Sequence, residues 1–300
     1  MKPAVFSILA LGMTLAAASG AARAQDDTLA KARASGAIVM GVRESSAPLS
    51  YLLGGSQYVG YHVELCEAVL GRLLPQATVR YQMVTSQNRI ALLQNGTVDI
   101  ECGSTSNTAS RKQQVAFAVT TYITEARFAV RASSGIERAE QLQGRNVVTT
   151  AGTTLVQRLR RLDRKGVTFN LAYGKDHADS FLMLETGRAD AFAMDDNTLA
   201  GNIANARNPK DFRIVGEPLG VEPIAIMLRK GDDRFKAAVD GEIRKAMASG
   251  ELERLYNKWF MQPIAPTGAV INIPFPASLK AAFQRPNDDP AEAYEGNGAN

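Results

Sequence analysis

Apolar runs of strand length and amphipathic runs of helix length take turns along residues 37–194, and this alternation constrains the fold more than any other feature. Ala37–Val42 (AIVMGV) is an unbroken apolar run of strand length. Val63–Leu74 carries apolar residues at 63, 65, 69, 70, 73 and 74, close to helical spacing, and Pro75 stops it. Ala77–Val84 returns to a strand, Asn88–Asn95 predicts a short helix closed by Gly96, and Val98–Glu101 is the next strand. The pattern then recurs. Asn146–Thr149 is a strand signal, Leu155, Leu159 and Leu162 mark a helix, Thr168–Ala172 is a strand, and Asp179–Thr186 is a helix ended by Gly187. Ala189–Met194 is a strand ended by Asp195 and Asp196. Such alternation implies a parallel sheet covered by helices, here twice over: two α/β units.

Two extended segments join the units. Phe117–Phe128 leaves the first, and Ile214–Ile226, with Pro218 and Pro223, leaves the second. The helices Arg234–Met247 and Glu251–Phe260 follow. If they return to the first unit, that unit is discontinuous: 25–121 plus 222–265 around an inserted 122–221, with two crossing strands able to act as hinges. The alternative is two units in tandem on one linker. Residues 266–300 form a tail rich in Pro, Asn and Gly, expected to wrap the surface with its last dozen residues disordered.

Lys2, the apolar run Ala4–Ala18 and Ala22-Arg23-Ala24 have the form of a cleaved secretory signal peptide, residues 1–24. The run is short for a membrane span, which needs roughly 20 apolar residues. The expected location is therefore outside the cytoplasm. Losing Lys2 and Arg23 lowers the formal net charge of +4 by two, to +2. Basic residues are dispersed, so a nucleic-acid partner is not expected. Cys66 and Cys102 are the only cysteines. In an exported protein such a pair favours a disulfide, one that closes a long loop for about 3–4 kcal/mol in the chain-entropy model. Two cysteines and two histidines make no credible zinc site, and neither metal nor cofactor is expected.

Residues 99–111 read DIECGSTSNTASR. Hydroxyls and main-chain N–H groups beside a guanidinium can form a socket for a carboxylate, because Arg presents a planar fork to both oxygens. A Ser/Thr loop capping a helix beside a surface Arg reads equally well from this stretch alone. Further clusters stand at expected strand ends: Arg43-Glu44-Ser45-Ser46, Ser86-Gln87-Asn88-Arg89, Gly152-Thr153-Thr154 and Asp195-Asp196. Ligands of open α/β sheets bind beyond the carboxyl ends of strands. Arg43, Arg89 and Arg111 together call for a ligand with more than one carboxylate, since one would leave buried positive charge unpaired. Asp195 or Asp196 could hold an ammonium; Asp196 suits helix capping, which favours Asp195 for the ligand. His177 could be a solvated loop residue or could touch a side-chain carboxylate. The sequence has no G-x-S-x-G elbow, H-E-x-x-H or P-loop.

The segments GVRESSAPLSY, TSQNRIALLQNGTVDIECGSTSNT, TTAGTT, KDHADSF and AMDDNTLAG resemble the periplasmic solute-binding proteins of polar amino-acid ABC importers, extracellular family 3, in its acidic-amino-acid branch. The resemblance runs from Asp27 to about Asn287. It implies a two-lobed periplasmic binding protein fold of type II, two α/β domains joined by two hinge strands with a ligand cleft between them. By the same resemblance Arg111 clamps an α-carboxylate, with Ser104, Ser106, Thr153 and Thr154 around it, and Asp195 takes the α-ammonium. Arg43, Ser86, Arg89 and His177 would hold a distal carboxylate. The implied protein is a monomer that captures L-glutamate or L-aspartate by lobe closure and hands it to an inner-membrane permease, without catalysis. An alternative on the same fold is a periplasmic dehydratase of cyclic acids, which would need a general acid; Glu44 and Glu101 are the nearby spare carboxyls.

Overall fold

The computed structural model describes residues 27–295. The expected signal peptide lies outside them. A first helix, α1 (Thr28–Ser35), starts where the Asp27 side chain accepts from the Ala30 N–H and ends at Gly36 in the left-handed region. Its sequence, TLAKARAS, has almost no apolar face, so periodicity did not reveal it. The central strand β1 (Ala37–Val42) follows. Next come three short strands, β2 (Ser45–Ser46), β3 (Ser50–Leu53) and β4 (Gln57–Val59), which form a small antiparallel sheet of their own. Sequence reading missed this sheet because strands so short carry no measurable alternation.

Helix α2 (Tyr61–Leu73), β5 (Thr78–Met83), α3 (Arg89–Gln94), β6 (Ile100–Glu101), α4 (Ala109–Lys112) and β7 (Ala116–Phe117) then build the first unit. The long strand β8 (Tyr122–Arg131) leads into the second, made of β9 (Asn146–Thr150), α5 (Leu155–Arg164), β10 (Asn170–Gly174), α6 (His177–Glu185), β11 (Ala191–Asp195), α7 (Asp196–Ala204) and β12 (Phe212–Val215). The chain returns through β13 (Val221–Ile224) and β14 (Met227–Leu228) to α8 (Asp233–Ala248) and α9 (Glu251–Phe260). Two tail helices follow, α10 (Ala277–Gln284) and α11 (Ala291–Glu295).

The first sheet has the order β5-β1-β6-β14-β7, the second β10-β9-β11-β8-β12. Each is mixed, not wholly parallel as the alternation implied. β1 runs parallel to β5 and β6, but β14 is antiparallel to β6, with Met227 opposite Glu101. β9 runs parallel to β10 and β11, but β8 is antiparallel to β11, with Phe192 opposite Ala129. The reason is connectivity. The parallel strands point their carboxyl ends at the other unit, so a strand arriving from that unit enters at the same end and runs the other way. Between the sheets β8 and β13 pair antiparallel, Glu222 opposite Thr124 and Ile224 opposite Tyr122.

Packing follows the same division. One core joins residues 29–123 to residues 224–282, and a second lies wholly within 126–215. At the centre of the first, Tyr256 stacks on Phe260 at 4.3 Å between ring centroids, and Phe260 on Tyr122 at 5.0 Å. Chain segments far apart in sequence thus share one apolar interior. A disulfide joins Cys66 on α2 to Cys102 just after β6, with Cα atoms 6.4 Å apart. The tail packs against the first unit: the Ala291 N–H donates to the Asn107 carbonyl at 2.9 Å, and Lys112 pairs with Asp288 at 3.2 Å. No helix among the described residues is long and apolar enough to cross a membrane.

Candidate ligand-binding site

The carboxyl ends of β1, β5 and β6 face those of β9, β10 and β11, and the sequence clusters meet there. Arg43 follows β1 and is buried; its Nη2 donates to Ser86 Oγ at 2.8 Å and its Nη1 to Ser104 Oγ at 3.5 Å. Ser104 Oγ in turn donates to Ser46 Oγ at 3.1 Å. Arg111 lies on α4, whose start is capped by Thr108 accepting from the Arg111 N–H. Its Nη1 donates to the Ser106 carbonyl at 2.9 Å and its Nη2 reaches the second unit, donating to the Gly152 carbonyl at 3.2 Å.

Ser86, Arg89, Ser104, Ser106 and Arg111 on one wall, with Thr153, Thr154, His177, Met194 and Asp195 on the other, line a narrow cavity. Of the sequence candidates, Arg43 stands immediately behind this lining and Asp196 turns away from it. The Asp196 carboxylate accepts from Thr124 Oγ1 at 2.5 Å and from the Asn197 N–H at 2.6 Å. Met194 is the lining residue the sequence did not suggest. It reads as one more core residue of an apolar strand, and only its place one residue before Asp195 points to the cleft.

Two charged groups in the lining each bury an atom that has no hydrogen-bond partner among the described residues. Arg89 is 2% exposed, and its Nε is buried without a partner. Asp195 is 1% exposed, and its Oδ1 is likewise buried without a partner. Burial pushes the Arg89 pKa well below its ordinary value, and the neighbouring charges of Arg111 and Arg43 push the same way. Burial and the charges of Glu222 and Asp196 push the Asp195 pKa well above its ordinary value. Isolated charges buried this way are costly unless something pairs them.

His177 opens α6 and is also buried, not a solvated loop residue. Its Nε2 lies 3.5 Å from Arg43 Nη2 and its Nδ1 2.9 Å from Thr150 Oγ1. A guanidinium can only donate, so Nε2 accepts and the proton sits on Nδ1. Burial, with Arg43 and Arg89 adding to it, holds the pKa well below the ordinary 6.5, so the ring is neutral.

The two walls touch. The His177 N–H donates to Ser45 Oγ at 3.2 Å. The Gly201 backbone packs so close to the Ala47 carbonyl that a Cβ there would stand 2.3 Å from its oxygen. The cleft is therefore shut around a small, polar, mostly cationic cavity.

Residues 38–262 match the bacterial extracellular solute-binding proteins, family 3. The chain belongs to that family. The L-glutamate/L-aspartate-binding protein of Pseudomonas aeruginosa is 44% identical over 272 residues, covering 88% of this chain and 90% of that protein. The glutamate/aspartate import solute-binding protein of Escherichia coli K12 is 42% identical over 295 residues, covering 96% and 97%. Among solved structures, a mutant of ArgBP from T. maritima superposes with a TM-score of 0.71 at 25% identity, covering 78% of this chain and all of that one. Two α/β lobes on paired crossing strands are thus the family 3 fold, and the cavity lies in its cleft.

Proposed function

We propose that this chain is the binding component of an ABC importer, capturing L-glutamate or L-aspartate in the periplasm and delivering it to an inner-membrane permease. The observation that carries this reading is the pair of orphaned charges: buried Arg89 on one wall and buried Asp195 on the other, in one cavity with Arg111. A dicarboxylic α-amino acid supplies an anion for Arg89, a second for Arg111 and an ammonium for Asp195.

In this reading Arg111 takes the α-carboxylate, with Ser104, Ser106, Thr153 and Thr154 completing its shell. Arg89, Ser86 and His177 take the distal carboxylate, and Arg43 supports them from behind through Ser86 and Ser104. Asp195 holds the α-ammonium. Arg43, Arg89 and Arg111 lie on one lobe and Asp195 on the other, so only the shut cleft satisfies every ligand charge. A ligand closes the lobes by as much as it binds the shut form better. The first 24 residues serve as the export signal, and the chain works as a monomer. Neither spare carboxyl suits the dehydratase: Glu44 is exposed, and Glu101 is buried with Thr105 Oγ1 donating to it at 2.7 Å.

Calorimetry with L-glutamate, L-aspartate, L-glutamine and L-arginine tests the reading. The expected result is tight binding of the two acids and weak binding of the others. Binding of only neutral or basic amino acids would overturn it. Arg89→Ala should weaken the acids selectively, by the several kcal/mol typical of a buried charge partner.

A further inference from the structure

Glu101 is the buried charge that the ligand contacts leave unused. It ends β6, has no exposed surface, and lies under the loop that carries Ser104 and Ser106. Its Oε2 accepts from Thr105 Oγ1 at 2.7 Å, and its Oε1 has no hydrogen-bond partner. Its distance from the Arg43 stem is bounded by Gly103: a Cβ placed there would stand 2.1 Å from Glu101 Oε1 and 2.8 Å from Arg43 Cγ. The carboxylate and the Arg43 stem are thus packed against the same point beneath the cavity floor. Its negative charge favours the protonated forms of Arg43, Arg89 and Arg111 alike. Asp195 acts so on Arg89 and Arg111.

Other carboxylates act on the same arginines. Glu222 is 2.6 Å from Arg158 Nε, and its charge also acts on Arg111. Asp176 caps α6 by accepting from the Asp179 N–H, and its charge also acts on Arg43. Glu101 differs from both in acting on all three arginines from beneath the loop, outside the lining of the cavity. It thus offsets part of the positive charge that an acidic ligand meets.

We propose that Glu101 is a specificity-setting counter-charge: its carboxylate, without touching the ligand, offsets part of the arginine charge and so limits the preference of the cleft for an anionic over a neutral amino acid. The inference rests on the acidic-amino-acid reading above and deepens it. It differs from a purely structural role, in which Glu101 would only anchor the loop through Thr105.

The test compares Glu101→Gln, which keeps a side-chain oxygen for Thr105 but removes the charge, with Thr105→Val, which removes the hydrogen bond but keeps the charge. Calorimetry measures L-glutamate, L-glutamine and O-phospho-L-serine, which carries one more negative charge. At the separations of a closed cleft, one added positive charge changes the preference for an anionic over a neutral ligand by about tenfold or more. Glu101→Gln should raise the glutamate-over-glutamine ratio by that factor and gain most for phosphoserine. Thr105→Val should weaken all ligands together with the ratio held. Equal weakening of every ligand by Glu101→Gln would overturn the counter-charge and leave the acidic-ligand reading intact. A wild-type protein that prefers glutamine overturns both. Should Glu101→Gln not fold, wild-type titrations in buffers of different ionisation enthalpy decide: glutamate binding at neutral pH should take up no proton, and uptake approaching one proton overturns the proposal.

Discussion

The two walls of the cleft are built differently. The wall on the first lobe is braced before any ligand arrives. Cys102 is covalently tied to Cys66 on α2, the Gly103 carbonyl lies 2.6 Å from His62 Nδ1, and Glu101 holds Thr105. His62 Nε2 also contacts Thr121 Oγ1 at 2.8 Å, so one ring links the ligand loop to the start of the crossing strand β8. The wall on the second lobe offers hydroxyls, a neutral imidazole and the unpaired Asp195 at strand ends, with neither cross-link nor buried ion pair among them. The contrast suggests a division of labour. In the proposed reading the first lobe is a preorganised anion socket, and the second brings the compensating carboxylate only as the cleft shuts. Preorganisation of this kind lowers the ordering cost of binding.

The largest way to break that picture is at the socket. Arg111→Ala should cost at least about 3 kcal/mol of affinity for every α-amino acid, because it strips the partner from one carboxylate in a closed site. Calorimetry showing less than a tenfold loss would mean that the socket lies elsewhere.

Removing the brace comes next. The disulfide closes a loop of sequence separation 36, for which the chain-entropy model gives about 3–4 kcal/mol. Cys66→Ser with Cys102→Ser should lower unfolding stability by that order, measured by urea titration. Affinity should fall as well, since the loop it anchors carries Ser104 and Ser106. Unchanged affinity at reduced stability would show that the loop needs no brace.

His62 sharpens the comparison through pH. Burial pushes its pKa down to about 4 from the ordinary 6.5, although its contact with the Gly103 carbonyl opposes the shift. The unfolded chain therefore takes up the proton first as pH falls. The native state should lose about 3 kcal/mol from this group between pH 6.5 and 4, and nothing from it above that range. His177, also depressed, acts in the same direction. Urea midpoints against pH should fall less steeply in His62→Gln than in the wild type; parallel profiles would exclude His62 as the titrating group.

The smallest expected effect concerns closure itself. Gly201 lies inside α7, where alanine is intrinsically the better helix former by about 1 kcal/mol. A Cβ there would meet the Ala47 carbonyl of the opposite wall in the shut form. Gly201→Ala should leave the ligand-free protein at least as stable yet bind glutamate about tenfold more weakly, roughly 1.4 kcal/mol. Small-angle scattering of the saturated variant should show a wider cleft. Wild-type affinity would mean that these walls need not meet so closely.

Much of the molecule was legible in one dimension. Strands such as Ala37–Val42 and the helix Glu251–Phe260 are local periodicities, and they appear within a residue or two of where the pattern put them. The clusters around Arg89, Ser104, Arg111 and Asp195 could be read because strand ends are where α/β folds bind. The misses have physical reasons. β2, β3 and β4 are too short to alternate, and α1 has too little apolar face. Glu101 reads as one polar residue at the end of an apolar strand, and His62 as one on a helix; each acquires meaning only from partners distant in sequence.

The order of residues by itself determined two α/β units, a cysteine pair, and three arginines at strand ends, because periodicity, composition and spacing are properties of short stretches. Tertiary structure alone decided that β14 runs against β6, that Asp195 and not Asp196 enters the cavity, and that Arg89 Nε is buried with no hydrogen-bond partner among the described residues. Each of those is a relation between segments brought together across the two crossing strands. Direction of entry, burial and the balance of nearby charge have no local signature; they exist only when the lobes meet.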